Sequence, residues 1–112
     1  MALVQIKDKV TQKDLQKARE EYGDFVKVVV DVATGTMVIG GEWHADAEKM
    51  LLDSGSRQDD LWGGSVDLTT KAIDVIALIN IRPRLSNDSQ EILDPEIRKE
   101  FIKIVRKKFG FK

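Results

Sequence analysis

His44 is the only histidine of the chain, and it stands between two carboxylates in Gly40-Gly41-Glu42-Trp43-His44-Ala45-Asp46-Ala47-Glu48. Glu42, His44 and Asp46 alternate at i, i+2 and i+4, so they point to one side of an extended segment or splay around a helix start. An imidazole oriented by a carboxylate can act as a general base, and one His with two carboxylates can hold a divalent metal. The metal pattern is incomplete. The second His of an H-E-x-x-H pair is missing and no cysteine replaces it, so no metal ion or other cofactor is expected. The structural alternative has Asp46 and Glu48 complementing a helix dipole while His44 caps or packs the helix start; ionisable groups serve structure as well as function.

Arg82, followed by Arg84 beyond Pro83, ends an otherwise apolar run. Its planar fork suits a carboxylate or a phosphate. Set beside Asn80 and His44 it would form an anion clamp; paired with Glu42, Asp60 or Asp31 it would be a partly buried ion pair. Glu42, His44, Asp46 and Arg82 are therefore the catalytic candidates, and Trp62, Asn80, Arg84 and Asn87 the binding candidates. Trp62 can anchor a partner or cover the core, and Asn87 lies in a Ser-Asn-Asp-Ser run that forms turns as readily as it binds ligands. A G-x-S-x-G elbow is absent, and Ser54-Gly55-Ser56 lacks the lysine of a phosphate loop.

The elements that must position these residues follow from periodicity. Leu3 to Ile6 is an edge strand or a tucked-in arm. Thr11 with Asp14 makes a capping-box variant, Val10 and Leu15 a hydrophobic staple, and Gly23 closes the helix. Phe25 to Val32 alternates as a strand, turns at Ala33-Thr34-Gly35 and returns over Thr36 to Ile39. After Gly40 and Gly41 a helix runs from about Ala45 to Asp53 with Ala47, Met50 and Leu51 inward. Arg57 to Gly64 reads as a loop pinned by Trp62, because it is polar and carries a double glycine. Ser65 to Leu68 and Ile73 to Ile81 read as a hairpin about Thr69-Thr70-Lys71, ended by Pro83. Arg84 to Gln90 is polar loop, and Asp94-Pro95-Glu96 opens a helix that reaches about Phe109, with Gly110 as its C′ residue.

The order (β)-α-β-β-α-β-β-α predicts an α+β single domain over residues 1–112, with about four strands in an antiparallel or mixed sheet and three helices. The helices cover one face or both. A chain of 112 residues suits one modest core, and 18 basic against 19 acidic residues leaves a net charge of −1 that demands neither nucleic acid nor an anionic membrane. Zero cysteines fit a reducing cytoplasm. The first residues lack a signal-peptide pattern, and no apolar run approaches the roughly 18 residues of a membrane span, which predicts a soluble, cytoplasmic protein.

The segments GGEWHADAE, GSRQDDLWGG, INIRPRLSNDSQEI and DPEIR, in this order, resemble a family of short bacterial and archaeal proteins described only as a domain of unknown function. The likeness spans roughly Val28 to Val105. It implies no activity; the matching positions include Gly41, Glu42, His44, Asp46, Glu48, Ser56, Asp60, Trp62, Gly63, Asn80, Arg82, Pro83, Asn87 and Asp94, while Trp43 and Gly64 depart from the pattern.

Three functions fit the residues. A non-catalytic binding or interaction module with a polar pocket around His44 and Arg82 is favoured, because rare polar and aromatic residues cluster without a complete catalytic set. A small hydrolase or lyase would use His44 as base and Arg82 to hold an anionic substrate. Nucleic-acid binding would use Arg98, Lys99, Lys103, Arg106, Lys107 and Lys108, but no aromatic platform accompanies that basic face, so this partner is disfavoured. Homo-oligomerisation would cover any apolar edge left open.

Overall fold

A computed structural model describes residues 3–111. The elements are β1 (Leu3–Ile6), α1 (Gln12–Tyr22), β2 (Phe25–Asp31), β3 (Met37–Gly40), α2 (His44–Asp53), β4 (Leu61–Asp67), β5 (Ile73–Asp74) and α3 (Pro95–Phe109). Short 3-10 turns occupy Gln58–Asp60, Leu78–Asn80 and Pro83–Leu85. The strands form one antiparallel sheet in the order β1-β3-β2-β4-β5. The fold is α+β, with five strands rather than about four, because Leu3–Ile6 is a true edge strand paired with β3.

Helices cover both faces of the sheet. Alternation along β2 sends Val26, Val28 and Val30 into the larger core, where they meet Met37, Ile39, Trp62, Val66, Ala18 of α1 and Phe101, Ile104 and Val105 of α3. Val29 points the other way, into a second cluster with Val38, Leu61 and the α2 residues Ala47 and Leu51. Both faces are apolar because both are covered, which is why β2 reads as a near-continuous valine run.

The helix starts behave as their sequences require. Thr11 Oγ1 accepts from Asp14 N at 3.1 Å and Asp14 returns the bond to Thr11 N at 3.0 Å, a complete capping box. Asp94 Oδ1 accepts from Glu96 N at 2.9 Å, and Gly110 ends α3 in the left-handed region at φ 74°.

Two expectations are corrected. The segment up to Gly64 is not all loop: β4 begins at Leu61 and pairs Trp62, Gly63 and Gly64 with Val30, Val29 and Val28. The glycines are there for close approach rather than for a turn. A Cβ on Gly63 would lie 2.7 Å from Ala77 Cβ, and one on Gly64 would lie 2.1 Å from Asp74 O. Likewise, Ile73 to Ile81 is not one strand. Only Ile73–Asp74 pairs with β4; the chain then makes a single bridge from Ile76 to Glu91 and turns over Leu78–Asn80. The reason is that a side chain replaces the backbone on the next rung, since Asn80 Oδ1 accepts from Gly63 N at 2.8 Å and its Nδ2 donates to Gly63 O at 3.0 Å.

Candidate functional site

Gly40 and Gly41 carry positive φ values of 97° and 88°, which lets the chain leave β3 and enter α2 at once. The helix starts at His44, one residue earlier than expected, and its N-cap Trp43 makes no side-chain bond. His44 Nε2 lies 2.7 Å from Gly64 O. A carbonyl only accepts, so Nε2 carries the proton and donates it, which leaves Nδ1 as the bare nitrogen of a neutral ring. Burial lowers the His44 pKa below the usual imidazole value, and the Lys27 charge acts in the same direction; the Gly64 bond and Asp74 oppose them. Glu42 is exposed, and among the described residues neither Glu42 nor Asp46 bonds the imidazole. Asp46 instead keeps its Oδ2 buried without a partner.

Arg82 is 6% exposed. Its Nη2 donates to Glu48 Oε2 at 2.9 Å, and its guanidinium lies 5.0 Å from the centre of the buried Trp62 ring. The partner is thus Glu48, not Glu42, Asp60 or Asp31, because α2 carries Glu48 inward one turn after its first residue. Arg82 Nη1 is buried and has no partner among the described residues. Burial lowers the Arg82 pKa while Glu48 raises it, and the group stays charged. Next to it, Arg84 grips Asp59 with both terminal nitrogens, Nη1 to Oδ2 at 3.0 Å, and holds the Asp59 carboxyl below its ordinary range.

Asn80 and Asn87 are internal fasteners. Besides its two bonds to Gly63, Asn80 Nδ2 donates to Val75 O at 3.2 Å and Gln90 O at 2.9 Å. Asn87 Nδ2 donates to Asn80 O at 2.8 Å and Glu91 O at 2.8 Å, while its Oδ1 accepts from Leu93 N at 2.8 Å. Both side chains are buried, and each meets only backbone. Trp62 fills the larger core at 1% exposure, with its Nε1 unpartnered among the described residues.

His44 and Arg82 therefore line different clefts. A cleft of about 250 Å³ is bounded by Lys27, Trp43, His44, Ala45, Leu78 and Ile79 among others. A second, of about 420 Å³, is bounded by Glu48, Gln58, Ile79, Ile81, Arg82, Pro83 and Arg84. Ile79 lines both. The structure gathers Arg82, Arg84 and the underlying Trp62, whereas His44, Glu42 and Asp46 share no hydrogen bond. The basic face of α3 is partly used within the fold: Arg98 donates to Ile92 O at 3.0 Å, and Lys108 Nζ bonds Lys7 O. Among the described residues no group of three His, Asp or Glu side chains is placed to hold a metal ion. Among the described residues no helix is long and apolar enough to cross a membrane.

Two polar centres, Glu48 and Asp31, take roles other than those expected of them. Glu48 passed as a dipole complement, although its place four residues after His44 puts it on the same helix face. Asp31, 1% exposed, accepts from Ala33 N at 2.9 Å, Thr34 N at 3.1 Å and the Ser56 hydroxyl at 2.7 Å, tying the β2–β3 turn to the exit of α2. An aspartate ending an apolar strand in Asp-Val-Ala-Thr-Gly is the signature of such a turn, and the sequence carries it.

A family model with the description "Protein of unknown function (DUF5674)" matches residues 4–108. Neither the curated proteins nor the solved structures give a significant match.

Proposed function

Since the chain belongs to this family of proteins of unknown function, a description that carries no activity with it, we propose from the geometry that it is a non-catalytic binding module for an anionic group, seated in the Arg82 cleft. One observation carries the reading. A guanidinium that is 6% exposed leaves Nη1 without a partner while lining a cleft that a second arginine, Arg84, also lines. Leaving a buried donor unpaired costs about 1–3 kcal/mol, a cost that a carboxylate or phosphate oxygen would remove once the side chains at the cleft rim shift to admit it, since Nη1 itself is closed to solvent. Arg84 can be recruited cheaply, because its pair with Asp59 is surface-exposed and such pairs contribute little to stability. The His44 arrangement supplies no catalytic pair: its Nε2 proton goes to Gly64 O, and among the described residues no carboxylate bonds the ring.

The test is titration of the protein with inorganic phosphate and with succinate, followed by calorimetry and by amide shifts of Gln58 and Arg84. Binding is expected to weaken in Arg84→Ala. In Glu48→Gln it is expected to tighten several-fold, because the internal carboxylate that competes for Arg82 is gone. Silence of both the native protein and Glu48→Gln toward both anions would refute the proposal.

A further inference from the structure

The Arg82 cleft meets an apolar one at Ile79, which lines both, and the pair has a polarity of its own. α2 forms one wall of both, through Ala45 at the apolar end and Glu48 at the charged end, about 4.5 Å further along the helix axis. The segment from Ile76 to Arg84 forms the other wall, and Ile79 sits where the clefts meet. Of the eight large hydrophobic side chains that are exposed among the described residues, four belong here: Trp43 (63%), Ile76 (46%), Leu78 (63%) and Ile81 (43%). Such clustering marks a surface that is covered in use. Basic groups flank it, with Lys27 at the apolar end and, at the other, Arg82 and Arg84, each of which already holds one carboxylate of the chain, Glu48 and Asp59.

We infer that this groove takes an extended acidic peptide, with an apolar side chain between Trp43 and Leu78 and, a few residues on, a carboxylate at Arg82. The polar end rests on the anion-binding reading above; the apolar end is independent of it. Charge selects the occupant. A second copy of the chain docking by two-fold symmetry would set the same Lys27, Arg82 and Arg84 patch against itself, so complementarity requires a partner of opposite sign. A nucleic-acid backbone would satisfy the arginines but leave Ile76, Leu78 and Ile81 against phosphates and water. An isolated small anion would leave the same four hydrophobic groups uncovered.

The experiment uses fluorescein-labelled peptide amides of the form Leu-Leu-(Ser)n-Asp with zero to three serines, read by anisotropy beside calorimetry with inorganic phosphate. One spacing is expected to bind about tenfold more tightly than the others, the affinity change that about 1.4 kcal/mol produces. Replacing either both leucines by alanine or the aspartate by asparagine in that peptide should remove the gain. Leu78→Ser is expected to weaken the peptide about fivefold while phosphate affinity stays as it was, and Arg84→Ala to weaken both ligands. If phosphate binds but the peptides bind no better than their alanine controls, the groove inference falls and the anion site stands. If neither phosphate nor any peptide binds, both fall. A native dimer in sedimentation that Leu78→Ser dissolves would give the groove to a second copy and overturn the inference.

Discussion

Asn80→Ala should cost the protein about 3–4 kcal/mol of stability, and the figure can be worked from the bonds it removes. The side chain is completely buried and engages Gly63 N, Gly63 O, Val75 O and Gln90 O. Two of these survive its loss, because Val75 O also accepts from Ile92 N at 3.1 Å and Gln90 O from Ala77 N at 3.0 Å. Alanine therefore strands one donor and one acceptor, both on Gly63. Each buried group left unpaired costs about 1–3 kcal/mol, and the small void adds to that. The total is a large part of the 5–15 kcal/mol typical of a domain's whole stability. Urea unfolding followed by far-UV circular dichroism gives the number, with an unchanged m-value confirming that the same surface is exposed. Asn80→Asp sharpens the test: it keeps an acceptor for Gly63 N but turns an anion toward three carbonyl oxygens, so its loss should be at least as large. A loss below about 1 kcal/mol for alanine, or near-native stability for aspartate, would refute the reasoning and return Asn80 to the ligand-binding candidates.

Acidification tests His44. Its folded pKa lies below the unfolded value of about 6.5, so the unfolded chain binds the proton first; the associated stability is complete above that unfolded pKa and is lost as pH falls from there toward the folded pKa. The native curve minus that of His44→Gln should fall in this direction on acidification, and a rise would contradict a neutral, buried ring. Gly64→Ala should lower the melting temperature by about 10 °C or more, because its methyl meets the Asp74 carbonyl at 2.1 Å and backbone cannot step aside without breaking the Ser65–Asp74 rung. A near-native melting temperature would show that the ladder yields.

Elements with local signals were legible: the Thr11 and Asp94 caps, the valine alternation of β2, the apolar stripe of α3 and the turn at Gly35 all declare themselves within a few residues. What escaped depended on contacts far along the chain. Gly63 and Gly64 look like loop makers because nothing nearby reveals that Ala77, Asp74 and Phe101 press on them. The run from Ile73 to Ile81 carries strand residues throughout, yet the Asn80 amide takes over the rung that backbone would have filled. Arg82 was visible as an outlier and its neighbours were not, since pairing with Glu48 spans 34 residues. The convergence expected of His44, Asn80 and Arg82 takes another form: His44 and Arg82 both lie beside Ile79, but the Asn80 amide faces backbone, and the imidazole and the guanidinium open onto different clefts.

The two hydrophobic clusters also differ in when they can form. Every buried member of the α2-side cluster lies between Val29 and Leu61, while the other cluster reaches from Ile6 to Val105. Loop closure costs less over short separations, so the smaller cluster is the one that can assemble early, around the β2–β3 hairpin and α2. During synthesis the opposite face of the sheet then waits for Phe101 and its helix, with α1 as its only helical cover. The α2 side of the sheet thus packs from one short stretch of chain, whereas the larger core needs residues from both ends of it.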